Sequence, residues 1–323
     1  MNNKYKILSL CGGGVRGIMS ATILARLEAS HPGFMSNIDL MAGTSTGSAI
    51  ISLLLGNYTT KDLGKRLVEF IKHYQPAVKN HDPKRPMNNL HDFIDALTTI
   101  HNGNPPLSTF NQQVLMTSFQ LGNVATGQHW DQFIMTNFDD DDTKQIGIVD
   151  ATTASCCMNG MYAAHQFTYN NETIYAVDGA FASHDPTLIA IAYAMKYKNI
   201  PIEDIVVVDV GTGFMPHNFD GEAVKNWGCE QWVYAKNNDA VVPPLLANQP
   251  FSIPILDILL NGTNTTLVQQ QANMMLPGRF VNLNPHIKDV SETDDAAVPY
   301  LIEQGLALNI DSAKELIKQY WPA

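Results

Sequence analysis

Three glycine-bearing turns carry the residues that could do chemistry. They are Gly12-Gly13-Gly14-Val15-Arg16-Gly17, Gly43-Thr44-Ser45-Thr46-Gly47 and Asp178-Gly179-Ala180. The second fits G-x-S-x-G, the pattern of a nucleophile elbow. Small residues two before and two after the serine let the backbone strain and project the hydroxyl at a helix N-terminus. A serine that attacks an ester generates an oxyanion, and the amides of Gly12, Gly13 and Gly14 can approach such a charge closely because glycine carries no Cβ. A carboxylate at Asp178 is a group able to take the serine proton. Each turn also has a plainer reading: Gly43 to Gly47 as an ordinary small-residue turn, and Asp178-Gly179 as an Asx turn or helix cap. The first loop alone also matches G-x-G-x-x-G, with Asp39 placed as a ribose-binding acid. A dinucleotide-binding oxidoreductase is therefore a rival.

For these turns to converge, each must end a strand of one sheet. Tyr5 to Leu10 reads as a strand, followed by a helix with Ile18, Ile23, Leu24 and Leu27 on one face. Ile38 to Ala42 reads as a second strand, and Ala49 to Leu55, apolar on all sides, as a helix inside the core. Lys61 to Tyr74 is an amphipathic surface helix. Gln75 to Pro106, rich in Asn, His, Asp and Pro, reads as an insertion or lid-like excursion with one helical piece near Phe93 to Ile100. Val114 to Gln120 and Trp130 to Phe138 suggest a strand pair, Ile148 to Cys157 a helix and Thr173 to Val177 a strand. Asp185-Pro186 opens a helix as N-cap and first residue. Ile205 to Val210 and Arg279 to Leu283 are further strands, and Pro299 to Leu308 and Ser312 to Tyr320 are closing helices. The alternation predicts an α/β fold, a mainly parallel central sheet covered by helices on both faces. Because Gly12, Ser45 and Asp178 must meet, one domain is expected over residues 4–285, with helices of residues 286–323 packed on it.

The 323 residues include 20 Lys and Arg against 31 Asp and Glu, a net charge of -11, which excludes a nucleic-acid partner for want of a basic footprint. The longest apolar stretches, Ala49 to Leu55, Leu188 to Met195 and Ile205 to Val208, fall far short of the ~18 to 20 residues that span a bilayer. The apolar run from Ile7 ends at Gly12, too short for a Sec-type signal. The expected location is cytoplasmic and peripheral on membranes, with export by another route left open. Cys11, Cys156, Cys157 and Cys229 form no C-x-x-C pair and read as buried thiols. The histidines show no metal-ligand spacing, so no metal is expected.

In order, content and approximate spacing, the three turns together resemble the patatin-like phospholipase family. Looser similarity continues in Asp150 to Ser155 and Val208 to Gly213, so the resemblance covers Lys4 to Gly213. It implies a lipid acyl hydrolase that cleaves carboxylic esters of phospholipids at a membrane or micelle surface, with neither metal nor organic cofactor. Ser45 would be the nucleophile and Asp178 the base of a dyad without histidine, passing through an acyl-enzyme. The amides of Gly12 to Gly14 would form the oxyanion hole, and Arg16 would order the loop or contact a headgroup. Cys11 departs from the acidic residue or Asn common in the family. Besides the oxidoreductase, a catalytically silent lipid-binding protein of the same fold is an alternative. His165 and His184 read as satisfied polar residues near the sheet edge. Apolar contact with lipid is expected from Gln75 to Pro106 or from Pro243 to Leu260.

Overall fold

Aliphatic and β-branched runs supply the strands, and the sheet they form is mixed. In the computed structural model, which describes residues 4–71, 84–215, 219–236, 251–263 and 265–321, the strands are β1 (Tyr5–Leu10), β2 (Leu40–Gly43), β3 (Gln113–Gln120), β4 (Asp131–Thr136), β5 (His165–Tyr169), β6 (Glu172–Asp178), β7 (Ile205–Val210), β8 (Ala235–Lys236), β9 (Phe251–Ser252) and β10 (Phe280–Leu283). The order β10-β7-β1-β2-β3 is parallel throughout. Antiparallel β4 pairs with β3, the β5–β6 hairpin also joins β3, and β8 pairs with β9 apart from the sheet. Sequence patterning gave the parallel part and missed β5.

Helices cover both faces: α1 (Gly17–Ser30), α2 (Thr46–Leu55), α3 (Thr60–Ile71), α4 (Leu90–His101), α5 (Ile148–Cys156), α6 (Ala180–Ser183), α7 (Thr187–Lys198), α8 (Gly221–Val224), α9 (Cys229–Val233), α10 (Pro254–Asp257), α11 (Thr266–Met275), α12 (Val298–Ala307) and α13 (Asp311–Tyr320). A π-helical turn, Ile258–Thr263, continues α10. Strand residues alternate between the two faces. Leu8, Leu10, Val206 and Val208 pack with α1, α2, α5 and α12, while Ile7, Ile205 and Val207 pack with Ala190, Ile191 and Ala194 of α7. The last helices close over α1: Arg26 donates to the carbonyls of Gly305 and Leu308, and the Trp321 ring lies 5.6 Å from that of Phe34.

Three expectations change. The helical piece of the Gln75 to Pro106 excursion is not lid-like, since α4 buries Phe93 and Leu97 in the main core; residues 72–83 lie outside the described residues, as do 237–250 of the second lipid-facing candidate. Cys229 is exposed, unlike the other three cysteines. At the start of α7 the N-cap is Pro186, with Asp185 Oδ1 accepting from the Thr187 amide at 3.0 Å, so the capping carboxylate sits one residue earlier than the cap itself.

Candidate active site

Between the end of β2 at Gly43 and the start of α2 at Thr46 the chain has two residues in which to turn from strand to helix. Ser45 adopts φ 51° and ψ -120°, a strained conformation for a residue with a Cβ, of a kind that costs on the order of 1–3 kcal/mol. The surroundings hold it there. The Thr44 amide donates to the Leu10 carbonyl at 3.1 Å, the Ser45 amide donates to Ser155 Oγ at 3.0 Å, and the Ser45 carbonyl accepts from the Ala49 amide at 3.1 Å and from Cys156 Sγ. Thr44 Oγ1 donates to the Ser183 carbonyl at 2.7 Å and accepts from Thr117 Oγ1 at 2.7 Å. A Cβ on Gly47 would overlap the Leu10 carbonyl, which is why the motif needs glycine there.

Strand β3 sets where Asp178 falls. The Val114 amide donates to Asn137 Oδ1 just past β4, whereas the Leu121 amide donates to the Tyr175 carbonyl of β6. Successive amides of a strand point to alternate edges, so β6 lies on the edge opposite β4, the edge that β2 also uses. There β2 stops with Gly43 opposite Met116, and β6 arrives from the other direction with Asp178 opposite Ser118. The two strand ends meet head-on, ~7 Å apart along β3. Across that gap Ser45 Oγ donates to Asp178 Oδ2 at 2.9 Å, and Asp178 Oδ1 accepts from the Ala180 amide at 2.9 Å. Ser45 is 8% exposed and Asp178 0%. Burial pushes the Asp178 carboxyl up to about 7, the charge of Glu292 adds to this, and the Ala180 and Ser45 hydrogen bonds oppose it. A carboxylate with a pKa near 7 is matched to proton abstraction at neutral pH.

The first glycine loop lies beside this pair, and its amides are not equivalent. The Gly12 N–H donates to the His184 carbonyl at 3.0 Å, so it is already engaged. The N–H groups of Gly13 and Gly14 donate to no other group among the described residues. Both residues have positive φ, and a Cβ on Gly13 would overlap Thr212 while one on Gly14 would overlap the Glu292 carbonyl. Arg16 is 1% exposed. Its Nη2 pairs with Glu292 Oε1 at 3.0 Å and its Nε donates to the Gly13 carbonyl at 3.3 Å, while the Val15 amide donates to the Glu292 carbonyl at 2.9 Å. The Arg16 guanidinium is thus buried and tied to the loop through the Gly13 carbonyl and Glu292.

Asp39 does not reach this end of the sheet. It precedes β2 and pairs with Lys6 near the amino end of β1 (3.3 Å), opposite the glycine loop, so it cannot hold the ribose of a ligand on that loop. Among the histidines, His165 bonds Asp150 Oδ1 at 2.8 Å, as a satisfied polar residue should. His184 departs from that expectation: Nδ1 contacts Thr265 Oγ1, but Nε2 is buried without a partner. His217 lies outside the described residues.

Below the loop, Cys11, Asp185 and Asp209 each bring one polar atom to within 4.8 Å of the others, all buried. Burial raises both carboxyls, and the charge of Asp185 adds to the rise at Asp209, which is the stronger. A proton on Asp209 completes the network. Cys11 Sγ donates to Asp209 Oδ1 at 3.5 Å and Asn282 Nδ2 to Oδ2 at 2.5 Å, and the acid proton then serves Asp185 Oδ2, which otherwise has no donor. An amide does not titrate, but it gives up one of the two acceptor oxygens that meet Cys11 Sγ and Asn282 Nδ2. Because the native acid holds a proton that the unfolded chain releases near pH 4, wild-type stability falls as pH rises above 4, by up to ~1.4 kcal/mol per pH unit. The Tm of Asp209→Asn therefore climbs relative to that of wild type from pH 5 to pH 8 in thermal denaturation, from a starting value lowered by the lost acceptor. A difference that stays constant with pH contradicts this protonation.

The turn geometry and the mixed sheet place the molecule among α/β proteins with a serine and a carboxylate at the carboxyl edge of the sheet. The pattern of the family described as patatin-like phospholipase matches residues 8–191, and the chain belongs to that family of lipid hydrolases. CotR of Bacillus subtilis (strain 168) is 26% identical over 330 residues, covering 98% of both chains. The cUMP-AMP-activated phospholipase of Escherichia coli is 24% identical over 239 residues, covering 70% of this chain and 71% of its own. A Solanum tuberosum relative named "Probable inactive patatin-3-Kuras 1" is 24% identical over 270 residues, covering 70% of this chain and 68% of its own.

Proposed function

We propose that the protein hydrolyses carboxylic esters of phospholipids through Ser45 and Asp178 and an acyl-Ser45 intermediate. The observation that carries this reading is the 2.9 Å hydrogen bond from a strained, pinned serine hydroxyl to a buried carboxylate whose pKa is pushed up to about 7. Asp178 takes the hydroxyl proton as Ser45 Oγ attacks the ester carbon, then returns it to the departing alkoxide. The oxyanion is held by the amides of Gly13 and Gly14, with Gly12 fixing the loop through His184. Each such donor is worth roughly 10²- to 10³-fold in rate. Water then releases the acyl group, with Asp178 acting a second time.

Access from a lipid surface would run past α10 and its π-helical extension. Leu260 on the inner side packs with Ala180, Cys157 and Tyr162, whereas Ile255, Ile258 and Leu259 face out. The segment Ile253 to Thr263 carries one charge, Asp257, which accepts from Asn261, so contact there would be apolar. Among the described residues, no helix is long and apolar enough to cross a membrane.

A fluorophosphonate probe tests the reading. Wild type should label covalently, Ser45→Ala should not, and wild type should release fatty acid from phospholipid in mixed micelles. Labelling that survives Ser45→Ala, or a wild type that neither labels nor hydrolyses, would favour the silent lipid-binding alternative or another nucleophile.

A further inference from the structure

His184 has one ring nitrogen accounted for and one not. Thr265 Oγ1 lies 3.2 Å from the Leu260 carbonyl and 3.3 Å from His184 Nδ1; with its hydrogen on the carbonyl it receives Nδ1–H, the tautomer that leaves Nε2 with a lone pair. Burial lowers the imidazole to about 3, aided by Arg16, so the ring is neutral at working pH. Among the described residues Nε2 has no partner, although the residue is only 3% exposed, and a buried acceptor is costly to leave unpaired. The ring carbon next to it borders the site. Cδ2, bonded to Nε2, lies 3.4 Å from the point a Cβ on Gly12 would occupy, and Ser45 Cβ lies 3.4 Å from the same point.

An acceptor at that place needs a donor, and the reactants differ in whether they bring one. The ester carbon undergoing attack carries no O–H, and the Ser45 hydrogen is committed to Asp178. The water that hydrolyses the acyl-enzyme has two, one for the base and one to spare. We propose that His184 Nε2 accepts a hydrogen bond from that water and aims it at the acyl carbon. This rests on the Ser45 and Asp178 reading above. One water O–H points to Nε2 and the other to Asp178. The water oxygen bonds to the acyl carbon as its second proton passes to Asp178, and the tetrahedral species then expels Ser45 Oγ, which recovers that proton. His184 neither gains nor loses a proton, and acylation, which uses no water, proceeds without it.

Two substitutions separate its nitrogens. In His184→Asn the amide sits where Nδ1 was, keeping a donor for Thr265 but placing nothing at Nε2. In His184→Gln the amide reaches the Nε2 position. The acyl-enzyme is formed with a pulse of p-nitrophenyl ester and followed by intact mass, alongside the rate of fluorophosphonate labelling as a measure of Ser45 reactivity. The expected result is labelling within about twofold of wild type in both variants, decay of the acyl-enzyme slowed at least ~10-fold in His184→Asn, and decay within about threefold of wild type in His184→Gln. Equal decay in wild type and His184→Asn, or labelling slowed as much as decay, overturns the assignment. A wild type that does not label at Ser45 fails the dyad reading, a distinct outcome that removes the assignment with it.

Discussion

Asp178→Asn lowers kcat by about 10⁴-fold and at pH 8 raises thermal stability. On the proposed dyad, the rate loss follows from removing the carboxylate that, among the described residues, accepts the Ser45 hydroxyl, with the amides of the glycine loop left to supply residual catalysis. The stability gain follows from the sign of the pKa shift. A native pKa of about 7 against an unfolded value near 4 means that the folded protein binds a proton which the unfolded chain has released. Native stability therefore falls as pH rises from 4 through 7 and stays reduced above it, by an amount on the order of 4 kcal/mol. The amide carries no such charge, so the Tm advantage of the variant should be large at pH 8 and vanish near pH 4. In wild type, kcat/KM should rise with pH along a limb centred near 7, as the base form of Asp178 appears. A limb centred near 4, or a variant less stable than wild type at pH 8, removes the case for a desolvated base.

Gly14→Ala is the second large effect, with kcat reduced about 10²- to 10³-fold. At φ 55° an alanine is strained by roughly 1–2 kcal/mol, and its Cβ would overlap the backbone carbonyl of Glu292, an atom that cannot rotate aside. That carbonyl anchors the loop through the Val15 amide, so relieving the overlap moves the Gly13 and Gly14 donors away from the developing oxyanion. Gly278→Ala supplies the comparison: its φ of 71° imposes a similar strain, but nothing lies within 4 Å of the added Cβ. It should lose stability alone, as measured by Tm, with kcat unchanged. If Gly14→Ala behaves in the same way, the loop amides are not where the oxyanion forms.

In the parallel half, β1, β2 and β7 were legible because each runs into glycine, and β1 and β2 then feed helices with their own apolar periodicity. The β5–β6 hairpin was only half legible. Around β5, His165, Gln166 and Thr168 dilute the apolar signal, and an antiparallel partner leaves no glycine-to-helix punctuation. The residues of the three turns stood out by type and spacing, but their division of labour did not. Which amide of Gly12, Gly13 and Gly14 is engaged depends on the carbonyl of His184, and backbone groups leave no mark in composition. Glu292 lies in residues 286–323, read from sequence only as packing helices, yet it pairs with Arg16 and ties down Val15. Arg16 offered two roles from sequence because its burial is a tertiary fact. Thr117, which braces Thr44, carries no motif beyond being small and hydroxylated, and Ser155, which braces Ser45, stood only in the looser similarity of Asp150 to Ser155.

Strand β3 works as a caliper whose jaws are β2 and β6. The separation of Ser45 and Asp178 is indexed to hydrogen-bond rungs at Met116 and Ser118, not to the length of chain that joins them. Loops between these rungs can lengthen or shorten in related proteins without altering the gap, whereas a slip of a single rung would turn Asp178 to the other side of the sheet. The tolerance of the site to insertion and deletion is therefore uneven by construction: generous in the excursions, and nil across Met116, Thr117 and Ser118 of β3.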